Sequence, residues 1–226
     1  MIKLNSFYFY IFIFLFSCLY SQMIQHKIIE NSIESQDLVI DVLINADYLE
    51  IENVTLYYKS PNQFNYLEKN TEKILQLDKE CLAHIIKTSC SIKAKVVEKD
   101  ERENHYRMIL NFGHTLGHAI EALTNYSRFI HGEAVAIGMV YAARLSYHLG
   151  KCSEETPKRI KELIKKCGLP TDFPDLDSQA IIESLYYDKK TMNNKIKFIL
   201  VKEIGEIEIV DDMPEADIFK LLQSEI

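Results

Sequence analysis

Three histidines in the middle of the chain are the residues best suited to chemistry. His114, His118 and His131 fall within eighteen residues and are three of the seven histidines in the sequence. His118 follows His114 by four residues, and Glu121 follows it by seven. At about 3.6 residues per turn, His114, His118 and Glu121 share one face of a helix. Neutral imidazole nitrogens are good ligands for divalent metals, so the spacing predicts a metal-binding face.

Polar and apolar neighbours support this interpretation. Arg107 and Asn111 precede the first histidine, and His131 opens a His-Gly-Glu string followed by the apolar run from Ala134 to Leu145. A helix that is apolar on most of its sides is buried. Such a helix would hold His131 rigidly against the helix of the first two histidines.

The positions of the glycines support two further predictions. Gly113 immediately precedes the predicted histidine helix and Gly117 lies within it, although glycine is disfavoured in a helix by roughly 1 kcal/mol relative to alanine. We therefore expect another part of the molecule to approach this backbone closely. No glycine precedes Gly113, so the first half of the chain holds no G-x-G-x-x-G phosphate loop. A G-x-S-x-G nucleophile elbow is also missing, which leaves serine hydrolysis unsupported.

Hydrophobic periodicity predicts a mainly α domain over residues 62–226 with one small β-hairpin. Apolar residues at helical spacing from Phe64 to Val97 indicate either one long helix or two in series. Asp100 could cap the segment that follows. The further predicted elements are helices over 114–124, 131–149, 157–167 and 178–186 (the last capped by Asp177), a hairpin of 195–201 and 206–210 turning at Gly205, and a helix after Pro214.

The first 61 residues are different in character. Residues 1–22 form a hydrophobic leader, almost wholly apolar from Phe7 to Tyr20. Its length fits the apolar core of a secretory signal and is short for a spanning helix. The alternatives are an export signal, a membrane anchor through residues 7–20, and a spurious coding extension. Residues 23–61 form an undefined segment with two β-like runs.

Composition narrows the class of protein. With 47% hydrophobic and 26% charged residues, the 226-residue chain is typical of a globular protein. A net charge of -7 argues against a general nucleic-acid surface, while a local basic pocket for a small anion is still allowed. Five cysteines without a C-x-x-C pair indicate reduced thiols, as in a cytoplasmic protein.

The central strings resemble the C-terminal domain of 3-dehydroquinate synthase. They are LNFGHTLGHAIE over 110–121 and HGEAVAIGM over 131–139. Lys93, the charged run 100–103, Arg107 and the Asp-Lys-Lys string at 188–190 continue the match, which covers residues 62 to the C-terminus. The resemblance implies the multi-helical fold of that domain and an enzyme of the shikimate pathway, which leads to chorismate and the aromatic amino acids. Related sugar-phosphate cyclases share the architecture and are an alternative.

The resemblance also implies a reaction and a site. The family enzyme is a carbon–oxygen lyase that eliminates phosphate from 3-deoxy-D-arabino-heptulosonate 7-phosphate and closes a ring. NAD transiently oxidises a hydroxyl, and zinc or cobalt polarises that oxygen. Carried over by position, the metal ligands are His114 and His131. The remaining site residues would be His118 as substrate contact or proton relay, Lys93, Arg107, Asn111 and Lys189 as contacts to carboxylate, hydroxyls and phosphate, and Glu103 as the residue that orients these cations.

Two departures from the family pattern shape the expected activity. The glycine-rich NAD-binding domain of the family has no counterpart in this chain. The family's third metal ligand is a Glu in an A-E-V-I-K string, and Ile51 occupies that position here. Glu50 or Glu52 could substitute. We therefore expect a truncated enzyme with weak activity on its own. Alternatives are a non-catalytic remnant that binds a metal or partner, and a split-enzyme subunit completed by an NAD-binding chain. The family enzyme is commonly a homodimer.

Overall fold

Seven α-helices, one 3-10 helix and one β-hairpin make up the described part of the chain. The computed structural model describes residues 60–102, 105–172, 175–189 and 195–223, with only the backbone for 187–189, all within the unit Asn53–Ile226. The mainly α fold with one hairpin is confirmed. In chain order the elements are α1 Pro61–Leu75, α2 Lys79–Lys99, the 3-10 helix η1 Tyr106–Asn111, α3 His114–Leu123, α4 His131–His148, α5 Glu155–Lys166, α6 Ser178–Lys189, β1 Phe198–Glu203, β2 Glu206–Val210 and α7 Glu215–Gln223.

Helix α4 is the centre of the domain. It is buried along most of its length and contacts α3, α5, α7 and β1, as its apolar sequence predicted. Ser146 joins it to the hairpin: its Oγ donates to Ala142 O at 2.7 Å and accepts from Val201 N at 2.9 Å. Because Ser146 is fully buried, this hydroxyl satisfies a strand N–H that has no access to water.

The segment from Phe64 to Val97 folds as two helices. Ser60 caps α1, its Oγ accepting from Gln63 N at 3.4 Å, and Asp78 caps α2, its Oδ1 accepting from Cys81 N at 2.9 Å. Leu77 between the helices has a φ of 62°, which breaks the helical path. The Asp78 cap and this left-handed residue decide between the two alternatives that the apolar spacing left open.

The C-terminal elements follow the predicted pattern with shifted ends. Helix α5 begins at Glu155, two residues before the predicted start, since Pro157 is tolerated in a first turn. Asp177 caps α6 as predicted, its Oδ2 accepting from Ala180 N at 2.9 Å. The strands pair antiparallel with Val201 opposite Ile207, and β1 begins at Phe198 rather than 195.

Several sequence predictions lie outside the described residues. These are the leader over 1–22, nearly all of the undefined segment 23–61 with Glu50 and Glu52, and Glu103. Within the ranges that the structure describes, no helix is both long and apolar enough to cross a bilayer.

Candidate metal and anion site

Glycines bring α3 and α4 into direct backbone contact. A Cβ at Gly113 would lie 2.7 Å from Val135 O, and one at Gly117 would lie 3.1 Å from Val135 Cα. A Cβ at Gly138 would overlap Gly113 O. Gly113 also has a φ of 85°, in the left-handed region that favours glycine. The element expected to approach the histidine helix closely is therefore α4.

This contact brings the three histidine rings together. The ring centroids of His114 and His118 are 5.5 Å apart, those of His114 and His131 are 5.3 Å apart, and those of His118 and His131 are 5.8 Å apart. His114 is half-buried, His118 is exposed, and the His131 side chain is 41% exposed. Rings from both helices thus form a triangle open to solvent on one side.

Hydrogen bonds occupy one nitrogen on two of the three rings. His131 Nδ1 lies 3.2 Å from both carboxylate oxygens of Glu121, and His114 Nδ1 lies 3.4 Å from Phe112 O. Carbonyl and carboxylate oxygens accept, so these contacts favour the tautomer in which a neutral ring carries its proton on Nδ1 and keeps a lone pair on Nε2. Among the described residues, His118 has no comparable acceptor.

The surroundings of His114 favour its neutral form. Burial is the largest cause, and the neighbouring His131 and His118 add to it, lowering the pKa of His114 to about 4. Only neutral imidazole has a free lone pair for a metal. At neutral pH, His114 is therefore uncharged and has a nitrogen lone pair available for a metal.

Ligand atoms of His118, Glu121 and His131 all lie within 4.8 Å of one another. This set differs from the predicted pair His114 and His131. Helical spacing alone put Glu121 on the predicted metal-binding face with His114 and His118, whereas the family resemblance assigned it no role. The spacing of three residues predicted that Glu121 lies near His118, but its contact with His131 depends on how α4 packs against α3.

The predicted cationic residues Lys93 and Arg107 lie on α2 and η1 respectively. Buried Asp100 accepts from His105 N at 2.9 Å and from Arg107 N at 3.0 Å, both through Oδ2, so its predicted capping role is confirmed. Arg107 Nη1 also donates to Glu101 O at 3.2 Å. Helix α2, which carries Lys93, contacts η1.

The remaining predicted site residues are placed by their elements alone. Asn111 ends η1, two residues before Gly113, and is half-buried. Lys189 is the last residue of α6, a helix packed against α3, and its side chain is outside the description. Glu103 also lies outside the described residues. Arg107 and Asn111 therefore lie on the 3-10 helix that leads into the histidine helix, and Lys93 lies on a helix that contacts this 3-10 helix.

Comparison with known proteins decides the family. The family "3-dehydroquinate synthase C-terminal" matches residues 50–191. This chain belongs to that family. The match begins twelve residues before the predicted domain start at 62, so it includes Glu50 and Glu52, and it ends before the hairpin.

Curated relatives agree with this assignment. The 3-dehydroquinate synthase of Thermoanaerobacter pseudethanolicus is 51% identical over 160 residues, which cover 71% of this chain and 45% of the relative. That of Dictyoglomus thermophilum is 48% identical over 176 residues, covering 77% of this chain and 49% of the relative. The chain thus spans about half the length of the curated relatives it matches.

Solved structures share the fold. A 2-epi-5-epi-valiolone synthase from Streptomyces hygroscopicus with NAD+ and Zn2+ bound is 20% identical at a TM-score of 0.67, covering 76% of this chain and 48% of that one. A 2-deoxy-scyllo-inosose synthase complexed with carbaglucose-6-phosphate, NAD+ and Co2+ is 28% identical at a TM-score of 0.57. The latter match covers 64% of this chain and 42% of that structure.

Proposed function

We propose that this domain provides the metal- and substrate-binding half of a 3-dehydroquinate synthase. The reaction is the cyclising elimination of phosphate from 3-deoxy-D-arabino-heptulosonate 7-phosphate, in the shikimate pathway of the cytoplasm. The observation that carries the proposal is the convergence of three imidazoles beside a cation-bearing 3-10 helix, in a member of this family.

The donor set fits a divalent metal such as zinc or cobalt. His114 and His131 would hold the ion, because hydrogen bonds at Nδ1 leave Nε2 of each ring available. The bound ion would supply Lewis acidity toward the substrate oxygen that is oxidised and reduced.

The substrate carries a carboxylate, a phosphate and several hydroxyls, and the proposed contacts match these groups. Lys93, Arg107 and Lys189 would bind the anions, with Glu103 orienting them, and Asn111 would bind hydroxyls. His118 would hydrogen-bond the substrate or move a proton at a hydroxyl, which its exposed position beside the other rings supports.

Hydride transfer requires NAD at contact distance from the substrate carbon. The first 112 residues contain no glycine and hence no glycine-rich phosphate loop. We propose that NAD is held by a nucleotide-binding region like that of the family enzyme, either in the same polypeptide or in a complementing chain. A homodimer is also compatible with the family. The 226-residue chain alone should then turn over weakly or not at all.

Metal and substrate binding test this proposal directly. Zinc affinity is measured by competition with a chromogenic chelator, and substrate binding by calorimetry, for the wild-type chain and for His114→Ala and His131→Ala. Both variants should lose at least tenfold in zinc affinity. His148→Ala, at the exposed far end of α4, is the matched control and should bind zinc normally. Unchanged zinc affinity in both site variants would refute the metal assignment.

Activity is tested by phosphate release from the substrate with NAD and zinc, before and after a nucleotide-binding chain is added. Rescue by the added chain would support the split arrangement. Turnover by the 226-residue chain alone at the rate of a full-length family enzyme would contradict the proposal. Metal binding without turnover under any condition would favour a non-catalytic remnant.

A related sugar-phosphate cyclase is the second candidate. The fold similarity to 2-deoxy-scyllo-inosose synthase favours it, because cyclases of different substrates share this architecture. A substrate panel with and without a carboxylate decides between the two. Preference for the carboxylate-bearing substrate by at least tenfold in binding would support dehydroquinate synthesis.

A further inference from the structure

We propose that Glu121 is a positioning residue for His131 and not a metal ligand. Its carboxylate fixes the Nδ1–H tautomer and the angle of the His131 ring, so that Nε2 faces the cation. This inference rests on the proposed function for the identity of the cation, but the hydrogen bond itself is a property of the chain alone.

The contact is a buried acceptor holding a half-exposed ring. Both Glu121 oxygens lie 3.2 Å from His131 Nδ1, and the side chains are 9% and 41% exposed for Glu121 and His131 respectively. A buried carboxylate is retained when a partner satisfies it, and the described contacts of this carboxylate go to His131. The ring at the first residue of α4 is thereby anchored to α3.

The same geometry separates Glu121 from the ion. Nδ1 and Nε2 point away from each other across the imidazole ring. An oxygen in contact with the Nδ1 proton therefore lies on the opposite side of the ring from an ion about 2 Å from Nε2. For Glu121 and His118 to share an ion with His131, the Nδ1 proton would have to leave and the hydrogen bond would be lost.

Fixing the ring has a measurable consequence for metal affinity. A carboxylate behind a ligating histidine makes the ring more basic and sets its orientation, and losing such a partner typically weakens metal binding about 10–100-fold. The backbones of α3 and α4 are in contact at Gly113 and Gly117, so the Glu121 carboxylate on α3 has a fixed position relative to the His131 ring on α4.

The test uses Glu121→Gln, which preserves side-chain size and removes the charge. Glu133→Gln is the matched control: Glu133 lies two residues after His131 but accepts from Ile130 N at 3.2 Å, a capping contact that Gln can keep. Nitrogen NMR on the metal-free chain reports the His131 tautomer. Titration with Co2+ reports the affinity and, at saturation, the d–d absorption spectrum, which is sensitive to the number and type of ligands.

Wild type and the control should show mainly the Nδ1–H tautomer of His131 and equal Co2+ affinity. Glu121→Gln removes the charge and can either accept from Nδ1–H or donate to Nδ1, so it should lose the tautomer preference and weaken Co2+ binding about 10–100-fold, with an unchanged spectrum at saturation. An altered saturated spectrum would identify Glu121 as a ligand and overturn the proposal. Glu121→Leu offers the ring no acceptor, so an unchanged tautomer in that variant would also overturn it. If Glu121→Gln does not fold by circular dichroism, Glu121→Asp keeps the buried charge, shifts its oxygens, and carries the same two readouts.

Metal binding tests the proposed function, and the His131 tautomer separately tests the role of Glu121. A wild-type chain that binds neither Co2+ nor zinc would refute the metal site. The tautomer of His131 in the metal-free chain would still decide whether Glu121 orients the ring.

Discussion

The candidate site has two sides that are held in place by different interactions. The histidine side, formed by His114, His118 and His131, sits on two helices whose backbones touch through glycines. The predicted anion-binding side, proposed for Lys93, Arg107 and Asn111, lies on α2 and η1, where Asp100 accepts two backbone hydrogen bonds from the connecting segment. Helix packing positions the first group, and the buried Asp100 carboxylate holds the backbone of Arg107 in the second.

The two kinds of interaction suit the two expected ligands, a metal ion on the histidine side and an anion on the other side. Metal ligands must be placed to within about 0.2 Å, and close-packed helices resist deformation. Charged groups attract an anion over longer distances, so a segment fixed by hydrogen bonds can serve them and still adjust on binding. Changes to the glycine contact should therefore affect metal binding, whereas changes around Asp100 should affect anion binding. The following predictions, from the largest expected effect to the smallest, test that separation.

Gly113→Ala should destabilise the fold by about 4 kcal/mol, combining left-handed strain with overlap against α4. Gly150→Ala is the matched control, because Gly150 also has a left-handed φ, 67°, but a Cβ there would meet no atom within 4 Å. The control should lose only about 1 kcal/mol. Chemical denaturation measures both. Equal losses would show that the α3–α4 contact is not under steric constraint.

Acid should destabilise the metal-free chain through His114. Its pKa is lowered from 6.5 to about 4 in the folded state, so the unfolded chain binds more protons between those values. This contribution to stability is full above pH 6.5 and is lost as the pH falls to 4, by at most about 3 kcal/mol. Denaturation curves across this range should show the slope. His114→Gln should flatten it, and an identical slope in that variant would assign the acid sensitivity to other groups.

Asp100→Ala should cost about 2 kcal/mol, because two backbone N–H groups lose their acceptor. Substrate affinity should fall in parallel as Arg107 is released, while zinc affinity stays within about twofold. Asp78→Ala removes a comparable cap at the other end of α2 and should cost about 1 kcal/mol without affecting the substrate. A large loss of zinc affinity in Asp100→Ala would contradict the separation of the two sides.

Thr115→Val should have the smallest effect. Thr115 Oγ1 donates to Lys197 O at 2.9 Å, joining α3 to the segment before β1. Losing this bond should cost about 1 kcal/mol. Zinc affinity should not change, since glycine packing and not this bond positions His114. Thr115→Ser keeps the hydroxyl and serves as the control. Weaker zinc binding by the valine variant alone would show that the bond to Lys197 helps to place the histidines.

Helices with clear ends were predictable from the sequence. The helix from His114 and the buried helix from His131 both begin at their predicted residues, because apolar spacing and flanking glycines mark them. The break between α1 and α2 was not decided, since Ile74, Leu77 and Cys81 continue the helical spacing through the turn. A left-handed φ at Leu77 breaks the helix there, and spacing alone does not reveal it.

The candidate site shows the same limit. The sequence indicated histidines on one face, but the neighbour of Glu121 is His131, ten residues later and after a turn where Asn125 and Tyr126 both have positive φ. The path of that turn decides which ring Glu121 meets. No periodic pattern within α3 contains that information.

The sequence by itself determined the family strings, the helices that carry the histidines, and the need for a close neighbour at Gly113 and Gly117. Those features are local, since helical spacing and side-chain size follow directly from the order of residues. Tertiary structure alone decided that this neighbour is α4, which ring nitrogens are occupied, and that Glu121 stands behind His131. Hydrogen-bond partners on different helices depend on distances of a few ångströms, and only the packing of the helices sets those distances.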